Sequence, residues 1–257
     1  MSRLFEAYRA IHEQAFIPIF TENGTDSRQL VEACVDAGCK GIEYTLRRRD
    51  APEIIPWIRE SFPDLYIIAG STLDSEPILR RARSRHPQLR SLKELVDMGV
   101  DGIASLVGFQ TETVQHYSST HLVVSPASTI FEAFRAVSAG AHFVKLVGPS
   151  LDLVRLCRNE AGFGYCPILI TGGMSLDIIP EAFSAGVALV GSGFDLMLKD
   201  KPRALPTSEV ADLLRRYLDR AKSARAKGWP ELAKAEGGDR RAWLAALPHH
   251  HPFGDLK

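Results

Sequence analysis

The chain has no excess charge of either sign: 31 lysines and arginines face 31 aspartates and glutamates. A balanced chain has no global field to draw it to nucleic acid or to an anionic membrane, so recognition of any anion must be built locally. It also has no apolar run long enough to span a bilayer. The opening residues, Met1-Ser2-Arg3-Leu4-Phe5-Glu6-Ala7-Tyr8-Arg9, mix both charge signs into apolar positions at helical spacing and do not read as a secretory signal. Cysteine is scarce. The four present, Cys34, Cys39, Cys157 and Cys166, are scattered in apolar surroundings rather than in metal-ligand pairs, which predicts reduced, buried thiols in a cytoplasmic protein. Low-complexity tracts are missing too. With 45% hydrophobic and 24% charged residues, the 257-residue chain has an ordinary globular composition, and its length permits one large α/β domain or two smaller ones.

What the chain does have is a rhythm of short apolar runs alternating with longer amphipathic ones, the pattern of repeated βα units around a parallel sheet. Eight strands are expected at Phe16 to Phe20, Gly41 to Thr45, Tyr66 to Ala69, Gly102 to Ala104, His121 to Val124, Phe143 to Val147, Ile168 to Ile170 and Ala188 to Val190. Helices are expected near residues 26–37, 51–61, 75–98, 110–117, 129–139, 150–161 and 176–185, several of them followed by a glycine that turns the chain back to the sheet. Eight alternations in about two hundred residues predict an α/β fold of the (β/α)8 barrel type, a TIM barrel, since an open doubly wound sheet more often has five or six strands. An N-terminal helix precedes it. The basic run Arg80-Arg81-Ala82-Arg83-Ser84-Arg85 reads as a solvated helix face or a subunit surface.

Beyond Leu198 the rhythm stops. Residues 1–198 read as the barrel and 199–257 as a helical extension packed on it or on a neighbouring subunit, entered through the connector Lys199-Asp200-Lys201-Pro202-Arg203 and containing an amphipathic helix over 207–227. His249-His250-His251, between Pro248 and Pro252, have the wrong spacing for a helical metal pair and read as a surface turn.

The most informative residue is Lys145, an amine inside the otherwise apolar run Ala141-His142-Phe143-Val144-Lys145-Leu146-Val147. A buried ammonium must be neutralised, paired or used, and a desolvated lysine can attack a carbonyl to form a Schiff base. Two readings stay open from this run alone: a structural ion pair or a nucleophile. Glu43, in the second strand, is the other ionised group placed within the central strands, and strand alternation lets both point into the barrel. Together they form either a buried salt bridge or the amine and proton shuttle that imine chemistry needs. The glycine turns after the last two strands, Thr171-Gly172-Gly173 and Gly191-Ser192-Gly193, are either tight turns or a phosphate cradle of the kind common in barrels.

Gly41-Ile42-Glu43-Tyr44-Thr45-Leu46-Arg47, Ala69-Gly70-Ser71-Thr72, Phe143-Val144-Lys145-Leu146, Thr171-Gly172-Gly173-Met174 and Val190-Gly191-Ser192-Gly193 stand in the order and approximate spacing of a known family. Over residues 1 to 198 the chain resembles the 2-keto-3-deoxy-6-phosphogluconate aldolases, class I barrel aldolases. The resemblance implies Lys145 as the Schiff-base lysine and Glu43 as the general acid/base. It implies Arg47 and Thr72 as ligands near the pyruvyl carboxylate, Thr171 as a further substrate-binding residue, and Gly172, Gly173 and the Gly191-Ser192-Gly193 turn as the holders of the phosphate. It further implies a small-molecule substrate cleaved to pyruvate and glyceraldehyde 3-phosphate, no cofactor and no metal ion, no nucleic-acid or membrane partner, and a homo-oligomer, trimeric in other members. Departures sit on the loops: Leu146-Val147-Gly148-Pro149 replaces the family's Phe-Pro, Ser105 is followed by Leu106-Val107-Gly108, Pro126-Ala127 replaces a Pro-Gly, and Phe194 stands where a serine often follows the last glycine. Two further readings are an aldolase for unphosphorylated 4-hydroxy-2-oxo acids such as 4-hydroxy-2-oxoglutarate, and a sugar-phosphate-binding barrel without catalysis.

Overall fold

The computed structural model describes residues 2–21, 24–148, 150–159, 164, 166–202 and 205–253. Pro149 of the altered loop, residues 160 and 161 of the helix expected at 150–161, Arg203 of the connector, and Met1 and residues 254–257 of the expected segments lie outside the described residues.

Eight parallel strands, β1 (Phe16–Phe20), β2 (Gly41–Thr45), β3 (Tyr66–Gly70), β4 (Gly102–Ala104), β5 (Leu122–Pro126), β6 (Phe143–Val147), β7 (Ile168–Thr171) and β8 (Leu189–Gly193), close in sequential order, with Phe16 opposite Val190 and Ile19 opposite Gly193 where β8 meets β1. The fold is the expected (β/α)8 barrel. Helix α1 (Arg3–Gln14) precedes it. The connecting helices are α2 (Ser27–Asp36), α3 (Ala51–Ser61), α4 (Glu76–Arg83), α5 (Leu92–Asp97), α6 (Thr111–Tyr117), α7 (Ile130–Ser138), α8 (Asp152–Asn159), α9 (Ile179–Ala185) and the short α10 (Phe194–Met197). Helices α11 (Thr207–Gly228), α12 (Pro230–Ala235) and α13 (Arg240–Ala245) follow.

Alternation along the strands divides the apolar residues into two sets. Ile17, Ile19, Ile68, Val124, Phe143, Leu169 and Leu189 fill the barrel, whereas Ile42, Tyr44, Ile67, Val144, Leu146, Ile170 and Val190 face the surrounding helices. Several expectations shift: the third, fifth, seventh and eighth strands run on to Gly70, Pro126, Thr171 and Gly193, and the eighth starts at Leu189 rather than Ala188. The fifth strand starts at Leu122 rather than His121, and the single helix expected over 75–98 is two. Pro87 has no amide to continue a helical ladder, and Ser91 restarts one by accepting the Glu94 amide while the Glu94 side chain accepts the Ser91 amide.

The N-terminal mouth of the barrel is closed by α1. Gln14, at its last turn, donates to the carbonyls of Phe16 and Gly41 at 2.6 and 2.8 Å and accepts the amides of Lys40 and Gly41, which ties the helix to the beginnings of β1 and β2. The extension packs α11 against α2 and α9, then turns beneath α1, where the buried Trp243 ring stands edge-on to Phe5 and Tyr8 at 6.0 and 5.9 Å. His249 is not on a surface turn. It is buried, with Nε2 2.8 Å from His12 Nε2, so the tail returns to the first helix. The reason is the aromatic bed formed by Tyr8, Trp229 and Trp243 around the pair, which offers more apolar burial than a solvent loop.

Burial holds the proton affinity of both imidazoles down, to about 4 for His249, with Arg158 adding to its depression, and Arg225 adding to that of His12. The unfolded chain then binds protons that the folded one refuses, so stability is full above the ordinary histidine value of about 6.5 and falls as pH drops from there toward about 4. Urea titrations of the full chain at pH 7.5 and pH 5 are expected to show this loss. The His249→Gln variant should lose less over the same interval, by up to ~1.4 kcal/mol per pH unit.

Candidate active site

Glu43 on β2 and Lys145 on β6 occupy inward positions of strands four apart in an eight-strand ring, and such strands face each other across the barrel. Both side chains are long enough to meet across that space. Lys145 Nζ lies 2.7 Å from each Glu43 carboxylate oxygen, with both residues almost wholly buried, at 3% and 2% exposure. The path of Glu43 depends on Gly70 at the end of β3, because a Cβ there would strike the Glu43 carboxylate and Cγ and the Thr45 methyl. Burying two charges costs several kcal/mol each, and a short, symmetric contact of this kind is what offsets the cost.

Above the pair, at the C-terminal mouth, is a cavity of about 150 Å³. Lys145 forms part of its floor. Arg47, Thr171, Gly172, Gly173 and Gly193 line it, so the structure gathers these expected site residues around one amine. Three others stand elsewhere. The Thr72 hydroxyl donates to the Ala104 carbonyl at 3.0 Å, tying β3 to β4, and so has no proton left to offer a carboxylate. Gly191 is within the barrel wall against Ile17, Ile19 and Thr171, and Ser192, one residue on, faces outward beside Tyr217 of α11. The period of two along β8 explains both positions.

Residues not expected at the site complete it. Thr21 and Asp195 line the cavity beside Ile19, Leu106, Val147 and Leu196. The Thr21 hydroxyl donates to Asp195 Oδ1 at 2.6 Å and accepts the Asp195 amide at 3.0 Å, an interlock that fixes the carboxylate against Gly193. Ser71, just past β3, adopts the left-handed conformation at φ 60°, a conformation that costs a non-glycine residue about 1 kcal/mol or more and concentrates at functional rims. Its hydroxyl is buried and has no partner among the described residues. The position of Asp195 just after the last glycine turn was a visible signal; its pairing with Thr21 was not.

A larger cavity of about 470 Å³ lies beside the loops after β4 and β5, lined by Asp74, Gln110, Ser128, Glu132 and Arg135 among others. Its acids are engaged in local structure: Asp74 accepts the Gln110 amide and Glu132 caps α7. The buried amine of Lys145 borders the smaller cavity, and chemistry rather than size marks that cavity as the candidate site. Among the described residues, no helix is long and apolar enough to cross a membrane.

No family model and no curated protein sequence matches the chain. Solved structures do. A native KDPGal structure is 20% identical with a TM-score of 0.63, covering 81% of this chain and 95% of its own. The KDPG aldolase of Legionella pneumophila, with pyruvate captured as a covalent carbinolamine, is 16% identical with a TM-score of 0.59, covering 87% of this chain and 98% of its own. Thiamine phosphate pyrophosphorylase from Pyrococcus furiosus is 13% identical with a TM-score of 0.61, covering 82% and 98%. At these identities the likeness is one of fold, and the third structure carries a different activity on that fold.

The buried pair predicts a strong coupling in stability. Glu43→Gln strands the ammonium and should cost about 3–5 kcal/mol in urea unfolding, whereas adding Lys145→Met removes the orphaned charge and should recover most of that loss.

Proposed function

We propose that the chain is a class I aldolase that cleaves 2-keto-3-deoxy acids to pyruvate and an aldehyde through an imine on Lys145. The observation that carries this reading is the contact of Lys145 with Glu43 at the floor of a small-molecule cavity. A lysine kept only for structure would have no need of a cavity above it. The likeness in fold to an aldolase that holds pyruvate covalently supports the reading further.

The geometry permits a complete proton cycle. Glu43 takes a proton from the Lys145 ammonium 2.7 Å away, leaving a neutral amine that adds to the C2 carbonyl. The resulting carbinolamine loses its hydroxyl as water, with Glu43 returning the proton, and an iminium remains. Glu43, now a carboxylate, removes the proton of the C4 hydroxyl. The C3–C4 bond breaks, its electron pair passes to the iminium nitrogen, and the aldehyde departs from an enamine. Protonation at C3 and hydrolysis of the imine release pyruvate and restore the amine. Arg47, the cation of the cavity wall that has no ion-pair partner among the described residues, holds the substrate carboxylate, which a guanidinium binds through paired hydrogen bonds.

Reduction by borohydride in the presence of pyruvate tests the chemistry directly. The expected product is a mass adduct on the peptide containing Lys145, absent in Lys145→Met and formed about a hundredfold more slowly in Glu43→Gln. A wild-type protein that forms no adduct leaves Lys145 as an ion-pair residue and ends the reading.

A further inference from the structure

The cavity has a charge pattern that bears on the aldehyde half of the substrate. Lys145 and Glu43 neutralise each other at the floor. That leaves two charges on the walls: Arg47 past the end of β2, and Asp195 just past β8. Neither forms an ion pair among the described residues. The carboxylate is held in place, because Thr21 both donates to Oδ1 and accepts the Asp195 amide, and Gly193 has no side chain to displace it. Oδ2 has no partner among the described residues, so it is an open acceptor at the cavity wall.

The carboxylate therefore lies where the glycine turns of β7 and β8 converge. Gly172, Gly173, Gly193 and Asp195 line the same small volume. A phosphate seated on those turns would set a dianion against a fixed carboxylate in about 150 Å³, with no cation beyond Arg47 and the already paired Lys145 lining the cavity. Like charges facing one another across a small cavity repel, and an unpaired anion beside a ligand is a common means of excluding one class of substrate. A hydroxyl reverses the sign of the interaction, since it donates to the carboxylate oxygen.

We infer that Asp195, positioned by Thr21, is a specificity-determining residue that selects substrates whose aldehyde half ends in uncharged hydroxyl groups and rejects those ending in phosphate. The inference rests on the aldolase reading of the same cavity. It assigns the chain to unphosphorylated 2-keto-3-deoxy sugar acids, with Arg47 taking the carboxylate end and Asp195 the polyol end.

The test is aldol addition of pyruvate to glyceraldehyde and to glyceraldehyde 3-phosphate, run with the full-length protein beside borohydride trapping of pyruvate. The wild type is expected to give a kcat/KM for glyceraldehyde at least about tenfold above that for the phosphorylated aldehyde. Asp195→Asn keeps the size of the side chain and removes its charge, and should shift the ratio about tenfold toward the phosphorylated aldehyde. A trapped adduct accompanied by preference for glyceraldehyde 3-phosphate, by turnover of neither aldehyde, or by a ratio unchanged in Asp195→Asn overturns the inference and leaves the imine chemistry standing. Failure to trap pyruvate at all overturns the aldolase reading and this inference with it.

Discussion

The contact between Lys145 and Glu43 is the constraint to which the rest of the barrel is adapted. Two charges buried this deeply are tolerable only while each satisfies the other, and they approach because β2 and β6 face each other across a closed ring. Gly70 keeps the space beside Glu43 clear, and inward residues of neighbouring strands, Ile68, Val124 and Leu169, supply an apolar surround that keeps water from the pair. That surround does more than protect the pair. In a low-dielectric setting an ion pair 2.7 Å apart responds strongly to any polar group brought against it, because little solvent is available to screen the change.

The two mouths of the barrel are treated differently, and the difference divides stability from chemistry. At the N-terminal mouth, α1 lies across the opening, Gln14 fastens it to β1 and β2, and the extension adds Trp243 and the His12–His249 pair beneath it. Arg225 of α11 joins this closure by donating to the carbonyls of His12 and Glu13 and pairing with Glu236. The C-terminal mouth is left open, and exposed apolar side chains such as Val107 and Val147 stand around it. A barrel stapled shut at one end can accept strain at the other, and the left-handed Ser71 is on the open rim.

The strands, most helix positions and the Lys145–Glu43 pair were legible in the sequence because each depends on a local period. A period of two puts Phe143, Lys145 and Val147 on one face of β6, and the count of eight apolar runs does the rest. What was not legible depends on contacts between distant residues. Thr21 and Asp195 are 174 positions apart, and His12 and His249 are 237 apart; no local pattern announces either pair. Ser192 misled for a simpler reason. Its place between two glycines suggested a phosphate turn, yet strand alternation sends its side chain outward toward Tyr217. Pro87 was visible, but only the Ser91–Glu94 cap shows that a second helix begins after it.

The placement of Arg47 and Asp195 on separate elements also bears on orientation. A 2-keto acid, the proposed substrate class, carries its carboxylate directly beside the carbonyl that would meet Lys145, so binding in reverse would bring the tail hydroxyls to the amine and the carboxylate to Asp195. Attraction at one wall and repulsion at the other both disfavour that arrangement, and the two effects act on the same molecule. Neither charge needs to touch a reacting atom to matter. If the amine at the floor forms the proposed imine, it does so only when C2 is within bonding reach, and a polarity that fixes which end enters which side raises the fraction of encounters that react. In the proposed reading the pair at the floor supplies the chemistry, and the separated charges above it decide which carbon is presented.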